Sequence, residues 1–145
     1  MKMINIRKAT SVDDIQFCSR AILTFRPGID PGLLIEQSNR MIKDGFELIY
    51  IPNEDNTEAA AIAGFRTMEM YRTGKTLYID DLFTFEDHRG KGYAGALLDH
   101  IADLATVKGY KSVHLDSAYH LHPAHRLYLN KGYVLYCQHF AKILG

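Results

Sequence analysis

A basic, glycine-rich turn precedes a helical pattern in the second half of the chain. The segment from Arg89 to Ala94 is RGKGYA, and apolar residues at helical spacing continue from it to Ala105. Glycine lets the backbone turn tightly and lets an anion approach the amides. The first N–H groups of a helix have no partner within it, and the helix dipole adds positive potential there. The turn therefore predicts a phosphate or pyrophosphate site, and a plain strand-to-helix turn with solvated charges is the alternative.

Two adjacent carboxylates interrupt the strongest strand pattern of the chain, TLYIDDLFTF. Because side chains alternate across a strand, Asp80 and Asp81 are expected on opposite faces of the sheet. One of them then faces a substrate cleft, where it could withdraw a proton through water or hold an ammonium group. Glu86 is expected to lie further from that cleft. A paired or solvated structural acid is the alternative.

Three histidines form an H-x-H-x-x-H run: His120, His122 and His125. Such residues can bind zinc. However, Pro123 stands at a predicted helix start and no carboxylate is evident nearby, so no metal is expected. One of these histidines could line an acceptor pocket instead.

The order of predicted elements describes the scaffold that positions these residues. A strand–helix–strand crossover near residues 77–115 implies a parallel pair of strands, and hairpins within 47–86 imply antiparallel pairs. The sequence thus predicts a mixed α/β sheet with helices on both faces, in a single domain over residues 1–145. The predicted strands are 4–10, 46–52, 59–71, 76–85, 112–117 and one or two runs within 133–142; the predicted helices are 12–25, 33–43, 94–105 and 123–130.

The composition of the 145-residue chain limits the classes of protein to which it can belong. Hydrophobic residues make up 47% and charged residues 23%, as in a globular protein with a proper core. A formal net charge of zero does not favour a general nucleic-acid or membrane-surface binder. With no apolar run near the ~20 residues of a membrane span and no signal-peptide pattern, we expect a cytoplasmic protein. Cys18 and Cys137 match no zinc or redox spacing and are expected to be buried free thiols.

The glycine-rich turn resembles motif A of the GNAT superfamily of N-acetyltransferases. That motif is Arg or Gln, two residues, Gly, one residue, and Gly or Ala, and Arg89, Gly92 and Ala94 match it in order. The segment AHRLYLNKGYVLYCQHFAKIL resembles the family's motif B and C-terminal strands, particularly in small-molecule acetylating members such as aminoalkylphosphonate N-acetyltransferases. The resemblance implies a splayed, mixed central sheet and acetyl-CoA as the donor.

The resemblance also implies where acetyl-CoA binds. The pyrophosphate would contact the backbone amides of motif A, and the pantetheine arm would pair with the fourth strand like an added strand, which requires unpaired backbone groups. Many members carry an Asn that binds the pantetheine; Leu121 occupies its place here, so that contact is lost or made by another group such as Ser117. The implied cofactor-binding residues are Leu82, Phe83, Thr84, Arg89, Gly90, Lys91, Gly92, Tyr93, Ala94 and Ser117.

The resemblance further implies two catalytic residues. Tyr128 corresponds to the motif B tyrosine, which lies near the thioester sulfur and acts as general acid, whereas a tyrosine packed on the sheet is the alternative. A phenol suits that role because it is neutral at working pH and can donate a proton to a thiolate. Asp81 corresponds to the acidic position just before the Leu-Phe pair, with Asp80 in reserve.

These observations predict an acetyl-CoA-dependent N-acetyltransferase that acts on a primary amine of a small molecule or peptide by direct attack in a ternary complex. A homodimer is left open. Two alternatives are a non-catalytic acyl-CoA binding or sensing module on the same fold, and a nucleotide-binding α/β protein outside the family. The first helices and the loop FRPGIDPGLLIEQ would shape the acceptor pocket, but their sequence does not reveal its specificity.

Overall fold

The computed structural model of the protein describes residues 3–145. Five strands form one sheet, and four α-helices pack around it. The strands are β1 (Arg7–Lys8), β2 (Phe46–Pro52), β3 (Ala59–Met70), β4 (Gly74–Thr84) and β5 (Val113–Leu115). The helices are α1 (Val12–Phe25), α2 (Leu34–Lys43), α3 (Tyr93–Val107) and α4 (His122–Asn130), and short 3₁₀ turns occupy Pro31–Leu33 and Glu86–His88. No helix in the described part of the chain is long and apolar enough to cross a membrane.

Helix α1 begins with a reciprocal cap. The Ser11 hydroxyl accepts a hydrogen bond from the Asp14 amide at 3.2 Å, and the Asp14 carboxylate accepts one from the Thr10 amide at 2.8 Å. This arrangement satisfies donors that a helix start leaves free. Helix α3 differs, because its N-cap residue Gly92 supplies no side-chain cap.

The sheet has the order β1-β2-β3-β4-β5, with antiparallel neighbours except for the parallel pair β4 and β5. Helix α3 connects that parallel pair and packs on one face, where Leu97 and Ile101 contact the core around Leu77. Helices α1 and α2 cover the other face, where Cys18 packs with Ile62. The predicted mixed α/β sheet with helices on both faces is confirmed.

A β-bulge interrupts β4 at the two aspartates. Ile79 lies opposite Phe65 and Asp81 lies opposite Gly64, so Asp80 is an extra residue with no partner of its own in β3. A bulge of this kind shifts the alternation of side chains by one residue. The expectation that Asp80 and Asp81 point to opposite faces is therefore wrong, and both carboxylates contact arginines on the α1–α2 face.

The pairing between β4 and β5 is short. It covers Leu77 to Ile79 on β4 and ends where Ile79 meets Leu115. Beyond that point, Asp81–Thr84 pairs with β3 alone among the described residues. The sheet thus opens between the end of β4 and the segment that follows β5.

The two ends of the sequence differ from the pattern-based predictions. The first strand is restricted to Arg7–Lys8, and residues 133–145 contain neither helix nor strand, so the final strands predicted within 133–142 do not form. A strand needs a neighbour that supplies backbone partners, and this segment does not have one. As a consequence Cys137 is exposed, contrary to the prediction, whereas Cys18 is buried as predicted.

Candidate active site

The turn before α3 presents backbone amides to open space. Gly90 and Gly92 have φ of +79° and +80°, a left-handed conformation that residues other than glycine rarely adopt. A Cβ atom built at either glycine would meet no protein atom within 4 Å. The first backbone bond closing the helix runs from the Ala96 amide to the Gly92 carbonyl at 3.0 Å, so the amides from Gly90 to Gly95 remain free for an anion. The Arg89 amide, in contrast, donates to the Glu86 carbonyl at 3.2 Å.

The two basic side chains of this turn are engaged locally. Arg89 Nε donates to the Thr84 carbonyl at 3.2 Å and so ties the turn to the end of β4. Lys91 Nζ lies 3.4 Å from His88 Nδ1 and 3.9 Å from a carboxylate oxygen of Glu54. The backbone amides are therefore the principal feature of the turn that is free to bind an anion.

Side chains on the open stretch of β4 point alternately to the two faces of the sheet. Leu82 packs against the α3-side core, and Phe83 packs against the α1-side core. Thr84 lies opposite Ala61, which belongs to the α3-side core, and its hydroxyl is buried without a hydrogen-bond partner.

Two tyrosines and a serine lie near one another: Tyr128 on α4, Tyr133 just after α4, and Ser117 in the segment after β5. Tyr128 packs on the α3-side core, where burial raises the pKa of its phenol and the nearby Ser117 hydroxyl offsets part of that rise. Burial likewise raises the pKa of Tyr133 to about 12, and the two tyrosine rings lie 6.0 Å apart between centroids. Ser117 Oγ and Tyr133 Oη are buried without a hydrogen bond of normal geometry.

The buried hydroxyls of Thr84, Ser117 and Tyr133 share one property, namely that none has a hydrogen-bond partner within the described chain. Buried polar groups are nearly always hydrogen-bonded, so three orphans need an explanation. Thr84 ends β4, Ser117 follows β5 and Tyr133 follows α4, at the side where the sheet opens. A polar ligand bound in this opening would supply the missing partners.

Each of the two aspartates holds an arginine that the sequence pattern did not single out. Arg26, at the end of α1, donates from Nε to Asp81 Oδ1 at 2.7 Å and also reaches the Asp80 carbonyl at 3.2 Å. Arg66 binds Asp80, with Nε 3.1 Å from both carboxylate oxygens. No motif joins residues separated by 14 and 55 positions, so only the fold brings these pairs together. Asp81 thus lies at the start of the open stretch of β4, as the partner of a cation.

A cavity of about 250 Å³ lies between α1, α2 and the sheet, with Asp81 and Arg26 in its wall. The rest of its lining is mostly apolar, apart from Gln37 and Ser38. It includes Ile22, Ile29, Leu34, Met41, Ile42, Phe46, Leu48 and Ile62. Asp81 therefore faces this cavity, whereas Tyr128 packs on the opposite face of the sheet.

Two histidines of the H-x-H-x-x-H run make contacts at the start of α4. His125 Nε2 lies 2.8 Å from the Ala118 carbonyl and so fixes the turn that leads into α4. The His122 and His125 rings meet edge to face with centroids 6.0 Å apart. Among residues 3–145, no group of three or more His, Cys, Asp or Glu side chains could hold a metal ion.

Comparison with known proteins bears on the family and the fold of the chain. The family model described as the acetyltransferase (GNAT) family matches residues 17–133. No curated protein matches the sequence. An aminoglycoside N-acetyltransferase solved with CoA is similar over 98% of this chain and 95% of its own, with a TM-score of 0.84 and 12% identity. A predicted acetyltransferase from Clostridium acetobutylicum solved with acetyl-CoA covers 98% and 96%, with a TM-score of 0.71 and 21% identity.

A third solved structure, a ribosomal-protein-alanine N-acetyltransferase from Brucella melitensis biovar Abortus 2308, covers 97% of this chain and 100% of its own, with a TM-score of 0.77 and 17% identity. At such identities the likeness to solved structures concerns the fold alone. The family match, in contrast, covers most of the sequence, including the turn before α3 and helix α4. The chain therefore belongs to the GNAT acetyltransferase family.

Proposed function

We propose that the protein transfers an acetyl group from acetyl-CoA to a primary amine of a small molecule or peptide, by direct attack in a ternary complex. The observation that carries the proposal is the opening beside β4. There, free amides at the start of α3, unpaired strand backbone and three partnerless buried hydroxyls lie along one side of the molecule. We expect the protein to act in the cytoplasm, without metal, nucleic acid or membrane as a partner.

Acetyl-CoA would bind along this opening. The turn from Arg89 to Ala94 would receive the pyrophosphate, because its amides from Gly90 onward combine free N–H groups with the positive end of the helix dipole. The pantetheine arm carries amide groups that can pair with the backbone from Leu82 to Thr84, as an added strand does. Ser117 is the candidate for the remaining polar contact, since its buried hydroxyl lacks a partner.

The acceptor amine would approach from the side of Asp81. An alkyl ammonium has a pKa of ~10.4 and must lose a proton before it can attack. Asp81 now binds the Arg26 guanidinium, and an acceptor ammonium could take that place because it offers the same charge and N–H donors. From there the carboxylate can pass the proton to water as the amine attacks.

The reaction then needs an acid on the other side of the thioester. As the amine nitrogen forms its bond to the acetyl carbon, the carbon–sulfur bond breaks and CoA leaves as a thiolate. Tyr128 is the candidate that would protonate it: burial raises the pKa of the phenol, so it holds its proton until negative charge builds on the sulfur and makes the transfer favourable. The attacking nitrogen loses its second proton to water and Tyr128 regains one from water, so the products are an N-acetyl amine, CoA with a free thiol and one released proton.

The cavity beside Asp81 favours a small acceptor with an apolar part. Its volume of about 250 Å³ suits a compact group, and most of its lining residues are apolar. A peptide could place only its terminal residue there. The substrate class therefore includes small alkyl or aryl amines and peptide N-termini with an apolar first residue.

The deciding experiment measures CoA thiol release from acetyl-CoA with a panel of amines, together with direct CoA binding by calorimetry. The panel pairs alkyl and aryl amines with aminoalkylphosphonates, amino sugars and short peptides. We expect saturable release with at least one amine and N-acetylated product by mass spectrometry. CoA binding without release from any amine would indicate a binding or sensing module, and binding of ATP but not CoA would refute the proposal altogether.

A further inference from the structure

The cavity between α1, α2 and the sheet has one charge of each sign in a lining that is otherwise apolar or neutral. Within residues 3–145, Arg26 is the only basic residue that lines it and Asp81 the only acidic one. Their side chains are 51% and 23% exposed, so a molecule that enters the cavity can reach both. A ligand that matches these walls carries an apolar group together with a cation and an anion of its own.

The ion pair between these two residues leaves one polar group of each partner unused. Arg26 Nε and Nη2 contact Asp81 Oδ1, and Nη2 also donates to the Asp80 carbonyl at 3.2 Å. In the described part of the chain, neither Arg26 Nη1 nor Asp81 Oδ2 has a hydrogen-bond partner. A guanidinium has five N–H donors and a carboxylate about four acceptor sites. A cation can therefore bind Oδ2 and an anion can bind Nη1 while the pair stays intact.

Aromatic contacts fix the position of the Arg26 guanidinium. Its Cζ lies 4.4 Å from the centroid of the Phe25 ring, a contact that attracts a cation to the ring face. The Phe25 ring in turn stacks on Phe83, with centroids 5.4 Å apart. Phe83 belongs to the open stretch of β4, along which the pantetheine arm would lie. An anion bound to Arg26 is thus held close to the place where the amine would meet the thioester.

The two free groups and the apolar walls together define a substrate class. Resting on the proposed function, we infer that the acceptor is an α-amino acid with an apolar side chain: its ammonium binds Asp81, its carboxylate binds Arg26 and its side chain fills the cavity. In such a molecule one carbon atom separates the two charged groups. Arg26 Nε and Asp81 Oδ1 lie 2.7 Å apart, so both groups can be bound at once.

The carboxylate is the anion that this site favours. A planar carboxylate matches the N–H donors of a guanidinium. A phosphonate at the same position carries up to two negative charges, and Arg26, already paired with Asp81, is the one cation that residues 3–145 supply to the cavity lining. The phosphonate analogue of the same amino acid should therefore be the poorer acceptor.

The test compares kcat/KM for leucine and for isoamylamine, which differ only in the carboxylate, in the unmodified protein and in Arg26→Gln. The pKa values of the two amines differ, so the deciding quantity is the change in the ratio of their kcat/KM values between the two proteins. Loss of a charge-assisted hydrogen bond should lower the ratio of leucine to isoamylamine at least about tenfold. Arg26→Lys keeps the charge without the planar fork and should retain part of the preference.

Arg20→Gln is the matched control. Arg20 also lies on α1, is comparably exposed, binds the Glu58 carboxylate with Nε at 2.6 Å and lies over the Phe85 ring, but it does not line the cavity. The ratio should therefore stay unchanged in this variant, and circular dichroism verifies that both variants fold. A second measurement needs no variant: by calorimetry, leucine should bind the CoA-loaded protein at least about tenfold more tightly than leucinamide, which lacks the negative charge.

Four results would overturn the inference: an unchanged ratio in Arg26→Gln, an equal fall in Arg20→Gln, faster turnover of the phosphonate analogue than of leucine, or leucine binding no tighter than leucinamide. Release of CoA with other amines alongside such a result would leave the proposed function standing, so the two failures are distinguishable. Release with no acceptor at all would refute the proposed function, and this inference with it.

Discussion

At the scale of single residues, neighbouring side chains of the same type have different environments. Tyr128 and Tyr133 lie 6.0 Å apart between ring centroids and are both half-buried, yet only Tyr128 has the Ser117 hydroxyl close to its phenol. The motif predicted Tyr128 as a candidate acid, because its position relative to the glycine-rich turn is readable in the sequence. The isolation of the Tyr133 hydroxyl depends on packing between α4 and α3, which no local pattern encodes.

We predict that Tyr128→Phe lowers kcat by about 10²-fold, the low end for loss of a general acid, because water can partly replace the donor. CoA affinity should change little, since the proton is needed as charge develops on sulfur. Steady-state kinetics and calorimetry measure the two effects. Tyr133→Phe is the control and should retain most of the activity; if it lost as much as Tyr128→Phe, the assignment of the acid would be wrong.

The paired aspartates give a second prediction at this scale. Asp81→Asn should lower turnover and alter its pH dependence, because the amide can neither accept a proton nor hold an ammonium group as strongly. Asp80→Asn is the control, because it makes the same chemical change and also weakens an arginine contact. The carboxylate of Asp80 binds Arg66, however, whereas that of Asp81 binds Arg26 beside the cavity.

Rates over pH 6–9 for both variants, with CoA binding as a check, make this comparison. Full activity and an unchanged profile in Asp81→Asn would exclude Asp81 from the reaction. A loss confined to Asp80→Asn would transfer the role to Asp80.

At the scale of elements, helix α3 has a glycine in left-handed conformation at each end. Gly92 precedes its first turn with φ of +80°, and Gly109 follows its last turn with φ of +78°. Neither position has a protein atom within 4 Å of a built Cβ. The two sites thus impose the same backbone strain on a side chain, but only one of them adjoins the candidate anion site. The sequence predicted that these glycines flank the helix, since each stands at the boundary of a clear helical pattern.

We predict that Gly92→Ala and Gly109→Ala destabilise the fold by similar amounts, about 1–2 kcal/mol, because each forces a side chain into the left-handed region. Only Gly92→Ala should also weaken CoA binding, since its methyl group occupies the space through which an anion reaches the amides. Lys91→Ala should weaken binding less, because it removes one exposed charge. Urea unfolding and calorimetry separate the two effects, and equal loss of CoA affinity in both glycine variants would contradict this placement.

At the scale of the whole molecule, two apolar cores enclose several groups that ionise at high pH. Burial raises the pKa of the Cys18 thiol to about 12 and that of Tyr133 to about 12, and it also raises the pKa of Tyr50 and Tyr128. The sequence predicted the sheet and both helical layers, because their periodic patterns are strong. It did not predict the free final segment, since a strand pattern such as YVLYCQHF does not reveal whether a neighbouring strand is present.

These buried groups predict a loss of stability in alkali. Each holds its proton to a higher pH in the folded chain than in the unfolded one, so stability is complete below pH ~9 and falls as the pH rises toward 12. Urea midpoints between pH 8 and 12 would measure the decline. Cys18→Ala should make it shallower, whereas Cys137→Ala, which alters an exposed thiol, should leave the slope unchanged. A midpoint that stays constant to pH 12 would show that these groups ionise equally in both states.

The extra residue in β4 makes the strand one residue longer than its partner requires. Side chains alternate between the two faces of the sheet up to Ile79, and the alternation starts again at Asp81, with Asp80 between the two stretches. Removing Asp80 would restore one continuous alternation without turning any other side chain to the opposite face. The side chains of Leu82 and Thr84 would keep their orientation, but the strand would lose the local bend that a bulge introduces. The number of residues in this strand, as much as their identity, thus determines whether β4 bends at the point where Asp81 meets the cavity.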